Sequence, residues 1–401
     1  MPTGIRRLTA VVVLAAAVPL FAGQVSRAQE PWPAPDVRTV AHALPGRYIV
    51  VLKDRTLPAR SVKAESARLV AAHGGSVRRS FGTALKGYAA AMTDDQARRV
   101  AADPRVAYVE QDAGISGSAV QSNPPSWGLD RIDQHTLPLD KSYRYPGTAG
   151  NVTAYVVDTG IRTSHTQFQG RAAVGVDEVG DGHQGQDCAG HGTHVAGTIG
   201  GKDYGVAKGA KLVSVRVLNC RGKGSASSII AAADWITAHA VKPAVVNMSI
   251  NGPKSSSEDS AIQKSIASGV TWVVSSGNDG TDACGNSPGD IAPALVVNNA
   301  TADDKRRSDS DYGPCTDLFA PGTGINSAWN TGDTASHTLT GTSMAAPHVT
   351  GAAALYLSAH PNASPSEVHD ALLGNATPDR ISDAGNATPN RLLYTGGQDT
   401  P

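Results

Sequence analysis

At 401 residues the chain has room for two or three domains, and 40% hydrophobic residues with 43 glycines and few aromatics suit globular units of small, closely packed side chains. Lys and Arg total 35 and Asp and Glu total 35, so no field of one sign points to a nucleic acid or an anionic membrane as partner. The scattered charges read as a solvated surface. At the N-terminus Arg6 and Arg7 precede an apolar stretch, Leu8 to Ala22, and Ser26-Arg27-Ala28 offers small residues for cleavage. That is the pattern of a secretory signal over 1–28. A retained anchor is disfavoured because the run is short and Pro19 breaks it, and no later run is long enough to span a membrane.

A small unit over 29–118 follows. Arg47–Leu52 predicts a strand, Leu57 to Ala72 a helix, Tyr88–Met92 a second strand, Thr93 to Ala101 a second helix and Val106–Glu110 a closing strand. Thr93-Asp94-Asp95-Gln96 has the form of a capping box. The alternation predicts an α+β sandwich. Ala113 to Ser126, rich in Gly, Ser and Pro, predicts a linker. From 127 onward, apolar runs at Val152–Val157, Lys211–Leu218, Ala244–Ile250 and Val270–Ser275 read as buried parallel strands. They alternate with helical patterns at Ser225–Ala240, Ser257–Ser268 and Ser343–Ala359. The predicted fold is α/β, a parallel sheet flanked by helices, with ligands bound beyond the carboxyl ends of its strands.

Four segments carry chemistry. Val156-Val157-Asp158-Thr159-Gly160 places an acid at a strand end, His191-Gly192-Thr193-His194-Val195-Ala196-Gly197 offers a base, and Ser275-Ser276-Gly277-Asn278 offers an amide donor. Gly341-Thr342-Ser343-Met344-Ala345-Ala346-Pro347 puts a serine at the mouth of an Ala-rich helix. Free N–H groups and partial positive charge at a helix N-terminus suit an oxyanion. Taken singly, Ser343 reads as an N-cap, Asp158 as a turn residue and His191 as a neighbour of a cap. Together they read as Ser343 nucleophile, His191 general base, Asp158 orienting acid, and Asn278 with the Ser343 N–H as oxyanion donors. His194, one helical turn beyond the base, reads as structural.

These segments resemble those of the subtilases, the subtilisin-like serine proteases, whose order is Asp…His…Ser. The finer similarity is to the proteinase K branch and its aqualysin-like bacterial members. It rests on Trp127–Gln134, Asp187-Cys188-Ala189-Gly190-His191-Gly192, Val215–Leu218 and Pro389–Tyr394, and it covers about 119 to 395. The resemblance implies a subtilisin-like peptidase domain over 119–401 preceded by an inhibitory propeptide over 29–118. The implied protein is a secreted serine endopeptidase made as an autoprocessed zymogen, forming an acyl-enzyme on Ser343. It would act on polypeptides as a monomer, with its own propeptide as inhibitor, no nucleic-acid or membrane partner and no catalytic cofactor. Ile115-Ser116-Gly117-Ser118 places the maturation cut between Ser118 and Ala119.

Export favours paired over free cysteines, and four cysteines allow three pairings. A zinc site with His191 and His194 lacks any Cys-x-x-Cys spacing. The resemblance implies Cys188–Cys220 and Cys284–Cys315, each closing a loop of about thirty residues at ~3 kcal/mol. It also implies an edge segment, Gly222, Lys223 and Gly224, that pairs with an extended peptide. Ser249, Ile250 and Asn251 with Ser275, Ser276 and Gly277 would wall the primary pocket. Two departures stand out: Asn251 where the family carries glycine, and Asp309 where it carries phenylalanine. Structural calcium is implied at Asp130, Asp133, Gln134, Asp140 and Ser142, an oxygen-rich set, and at the carbonyls of Ala292 and Ala294 with Asp317. The bland alternative makes Asp130 and Asp133 ordinary helix-start acids. A peptide-binding module without turnover is the competing function, while an α/β-hydrolase esterase fails because no Gly-x-Ser-x-Gly surrounds Ser343.

Overall fold

The computed structural model describes residues 37–40, 43–53, 57–113 and 119–396, so the expected export signal over 1–28 and the expected cut after Ser118 fall outside the described residues. The chain divides into two compact units, Met1–Gly114 and Ile115–Pro401. In the first, five strands lie in the order Val37–Arg38, Val106–Ala113, Ala43–Leu52, Gly87–Ala91, Ser76–Phe81. Val50, Tyr88 and Val109 from the sheet meet Val62 and Leu69 of helix Ala59–His73 and Val100 of helix Asp94–Ala101 in one buried cluster. Alternate strand residues point inward, so Tyr48, Val50 and Leu52, and Tyr88 and Ala90, are buried while Ile49 and Ala89 between them are only half-buried. The capping box forms: Thr93 Oγ1 accepts from the Gln96 N–H, and Gln96 Oε1 accepts from the Thr93 N–H at 2.8 Å. Ser76–Phe81 escaped the sequence reading because Arg78 and Arg79 interrupt its apolar pattern. It is an exposed edge strand, where such charges discourage further pairing.

The second unit is built on a nine-stranded sheet. Its order is Thr377–Pro378, Arg391–Leu392, Leu318–Pro321, Leu295–Ala300, Thr271–Ser275, Ala244–Met248, Thr153–Asp158, Lys211–Arg216, Ala172–Asp177. All pairs are parallel except the terminal Thr377–Pro378 with Arg391–Leu392. Ala154 and Val156 face a core shared with helices His191–Gly200 and Thr342–Ala359. Tyr155 and Val157 face a second core against helices Ala226–His239 and Ser256–Ala267. Burial on both faces explains the mostly apolar runs, each fully buried aliphatic contributing about 1.5–3 kcal/mol. Strands at Ala172–Asp177, Leu295–Ala300 and Leu318–Pro321 were missed, since Gly175, Asn298-Asn299 and Pro321 break their apolar signal. The expected linker also ends early: Ala119–Ser122 pairs antiparallel with Ser142–Tyr145, its backbone satisfied by a partner that composition does not reveal.

Candidate active site

Asp158 is the last residue of its strand and His191 the first of its helix. Gly160 turns the chain between them with φ +110°. A Cβ on Gly192 would lie 2.1 Å from the Gly160 carbonyl oxygen, so only glycine lets the helix seat against that turn. His191 Nδ1 then sits 2.8 and 2.9 Å from the two carboxylate oxygens of Asp158. Asp158 is fully buried while His191 keeps 30% of its side chain exposed. A carboxylate accepts only, so Nδ1 carries the hydrogen and Nε2 presents its lone pair. Burial works to lower the His191 pKa, but the Asp158 charge and hydrogen bond, with the Asp187 charge, outweigh it and raise it above the ordinary value.

Asp187 opens the segment Asp187-Cys188-Ala189-Gly190-His191-Gly192, and its role becomes visible in the fold. One oxygen accepts from the Ala189 and Gly190 N–H groups and the Thr159 hydroxyl; the other accepts from the N–H and hydroxyl of Thr193. It therefore caps the helix that begins with His191 and ties it to the turn after Asp158. An Asp a few residues ahead of a Gly-His helix start was the available signal.

Ser343 lies in the first turn of the buried helix Thr342–Ala359, which packs against helix His191–Gly200. Pro347, inside that helix, has no N–H to give the Ser343 carbonyl. Ser249 Oγ supplies the missing donor at 2.9 Å. Asn247 Nδ2 donates to that hydroxyl at 2.8 Å, and Thr350 Oγ1 donates to Asn247 Oδ1 at 2.8 Å. This buried chain, invisible in the motif, holds the serine turn against the sheet. Ser343 Oγ itself donates to the Ser249 carbonyl at 3.2 Å. Asn278 Oδ1 accepts from the Thr342 N–H at 2.8 Å. An amide N–H can only donate, so the Asn278 NH2 group points away from the helix. Among the described residues neither it nor the Ser343 N–H has a hydrogen-bond partner.

Ser249 and Ile250 leave the strand Ala244–Met248, and Ser276 and Gly277 leave the neighbouring strand Thr271–Ser275. Asn251 reaches across to Ser275. Gly222, Lys223 and Gly224 are exposed, with the Lys223 N–H on Asn219 Oδ1 and its carbonyl accepting from the Asn219 N–H. Asp309 causes no packing defect: it is 42% exposed and pairs with Arg307 at 2.7 Å. Asp311, missed in the sequence, is fully buried; it accepts from the N–H groups of Asp279 and Thr281 and from Asn286 Nδ2, fixing the loop that follows Asn278.

The acid set near residue 130 partly fits a cation. Asp133 Oδ1 is buried without a partner, and burial pushes the Asp133 carboxyl up to about 6 and Asp130 upward. Asp140, however, is held by Ser142 and Arg144, and Gln134 turns its amide nitrogen to the Thr136 and Pro138 carbonyls. Asp317 accepts from the Val296 N–H beside Ala294, and its other oxygen meets His369 Nε2 at 3.3 Å. Cys188 is bonded to Cys220 and Cys284 to Cys315, so the thiols near His183 are unavailable as metal ligands. His194 is buried, with Nε2 on the carbonyls of Ile325 and His337, and burial lowers its pKa to about 3. A cavity of about 830 Å³ lies apart from Ser343, lined by Lys242, Ile266, Leu357 and His369.

Residues 149–396 match the Subtilase family and residues 47–116 match Peptidase inhibitor I9. The chain is 51% identical over 370 residues to an extracellular serine proteinase of Thermus sp. (strain Rt41A), covering 88% of this chain and 90% of the relative. It is 42% identical to alkaline serine exoprotease A of Vibrio alginolyticus, over 88% of this chain and 68% of the relative. A solved structure titled as a cold adapted subtilisin-like serine proteinase aligns with TM-score 0.66 and 46% identity, covering 68% of this chain and 98% of that one. By the reach of these matches, the chain belongs to the subtilase family and is a serine peptidase with an I9-type propeptide.

Proposed function

We propose that Ser343, His191, Asp158 and Asn278 hydrolyse peptide bonds through an acyl-enzyme on Ser343. The observation that carries this is the doubly held Asp158–His191 pair, together with the Asn278–Thr342 hydrogen bond that ties the Asn278 loop to the Ser343 turn while Asn278 Nδ2 and the Ser343 N–H have no partner among the described residues. In the first step Ser343 Oγ exchanges the Ser249 carbonyl for His191 Nε2 and gives it a proton while bonding to the peptide carbonyl carbon. The carbonyl π pair moves to oxygen, where the two donors stabilise it; removing one such donor typically costs ~10²–10³ in turnover. Asp158 stays ionised and stabilises the imidazolium. Collapse breaks the C–N bond as His191 passes the proton to the leaving amine, and water repeats the sequence on the ester.

The substrate lies between Gly222, Lys223 and Gly224 on one side and Ser249–Asn251 with Ser275–Gly277 on the other. The 29–118 unit inhibits until the bond between Ser118 and Ala119 is cut, and the export signal with a relative named extracellular supports secretion. The mature enzyme works as a monomer on polypeptides, and no metal takes part in its chemistry. Asp130 and Asp133 would hold a calcium ion at one site, joined by Gln134, Asp140 and Ser142 once these release their present partners, and Asp317 with the Ala292 and Ala294 carbonyls would hold another; each ion would neutralise carboxylate charge, and the orphaned Asp133 oxygen supports the first site. The test is covalent labelling: a fluorophosphonate should modify Ser343, and Ser343→Ala should lose both labelling and self-processing. Correctly trimmed Ser343→Ala protein, made without added protease, would refute the intramolecular mechanism.

A further inference from the structure

The two walls of the primary pocket leave neighbouring parallel strands that run in register, Met248 opposite Val274. Main chains of such strands lie about 4.8 Å apart, so a large substrate side chain fits between the walls only where nothing crosses the gap. Asn251 crosses it. Its Nδ2 donates to the Ser275 carbonyl at 2.7 Å and its Oδ1 accepts from the Ser275 hydroxyl at 2.7 Å. Ser275 is fully buried, so swinging the amide aside would strand both of those groups without partners. The second wall cannot retreat. The Asp311 N–H donates to the Gly277 carbonyl at 3.0 Å, and the Asp311 carboxylate lies where a Gly277 side chain would begin.

We propose that Asn251, latched to Ser275, closes the primary pocket and restricts the residue on the acyl side of the scissile bond to small side chains such as alanine and serine. This rests on the reading of Ser343 as nucleophile and of these segments as pocket walls. Glycine at 251 leaves the gap open; asparagine fills it with an amide that is fixed by two bonds. A pocket change of one or a few carbons shifts selectivity by about 10–200-fold.

The experiment compares tetrapeptide p-nitroanilides that differ only in the last residue, alanine or phenylalanine, with the mature calcium-loaded enzyme. The wild type should show kcat/KM at least tenfold higher for alanine. Asn251→Gly should raise the phenylalanine-to-alanine ratio at least tenfold. Ser275→Ala, which removes one of the two latch bonds, should move the ratio the same way by a smaller factor. A wild type that cuts after phenylalanine as well as after alanine overturns the proposal whether or not the variants fold. A ratio unchanged within twofold in either variant also overturns it. Failure of the underlying reading looks different: a wild-type protein that cleaves neither peptide and leaves Ser343 unlabelled by fluorophosphonate.

Discussion

Glu258 offers a direct test of burial against charge in this fold. It sits in the first turn of helix Ser256–Ala267, 4% exposed, next to Asp259 at 8%. Its N–H is capped by Ser255 Oγ, but the nearby Lys254 is paired with Asp290 and gives Glu258 no counter-charge. Burial first, then the charges of Asp259 and Asp290, push its carboxyl from the ordinary 4.5 up to about 7. Between those pH values the folded protein keeps a proton that the unfolded chain has lost, so stability falls as pH rises through this window and is level beyond it. At about 1.4 kcal/mol per pH unit the full penalty is about 3.5 kcal/mol; relaxation of the protein around the charge, which gives buried sites a high effective dielectric, reduces it to about 1–2 kcal/mol. Glu258→Gln keeps the shape and removes the charge. Urea unfolding of the mature, sulfonyl fluoride-inhibited enzyme should find the variant about 1–2 kcal/mol more stable at pH 8, a gain of roughly 2–6 °C in Tm. At pH 4.5 the two proteins should be nearly equal. A variant no more stable than wild type at pH 8, or one with the same gain at both pH values, would refute the reasoning.

Asp187→Asn should move the acid limb of the kcat/KM–pH profile to lower pH, because it removes a negative charge that favours the His191 imidazolium; a limb that stays put or moves up would exclude that influence. The same variant should unfold at lower temperature, since an amide nitrogen in place of either oxygen leaves at least one of the Ala189, Gly190 and Thr193 N–H groups without its acceptor. Chelating calcium should lower the unfolding temperature while leaving initial activity in the cold largely intact, because a ligand of the native state stabilises by linkage. An immediate, reversible loss of activity with the fold retained would contradict a structural role.

Much of the architecture was legible because burial on both faces writes itself plainly into sequence. Val152–Val157, Ala244–Ile250 and Val270–Ser275 are mostly apolar, with polar residues only singly at Thr153, Asn247, Ser249, Thr271 and Ser275, and each contributes a strand of the sheet interior. Where two polar residues fall together in a strand for tertiary reasons, the signal fails. Asn298 in Leu295–Ala300 bonds to Thr316, and Asn299 accepts from Thr323, contacts with no local pattern. Edge strands fail for the opposite reason, since Ser76–Phe81 needs no buried face at all.

The candidate site divides along the same line. The groups proposed to face substrate, Asp158, His191, Asn278 and Ser343, sit in short motifs, because a strand end or a helix start delivers each of them from a few consecutive residues. Groups that hold those motifs in place act across long stretches of chain and carry no motif. Asn247 and Thr350 reach Ser343 only through Ser249, and Asp311 governs the Asn278 loop from more than thirty residues away. Pro347 shows why the two kinds of information are inseparable. Its place in the serine motif deprives the Ser343 carbonyl of a helical donor, and that loss gives Ser249, a pocket-wall residue, its second task. The proposed pocket wall and the proposed nucleophile are thereby one hydrogen-bonded unit, so a substitution at Asn247 should disturb the Ser343 turn and the Ser249 segment together rather than either alone.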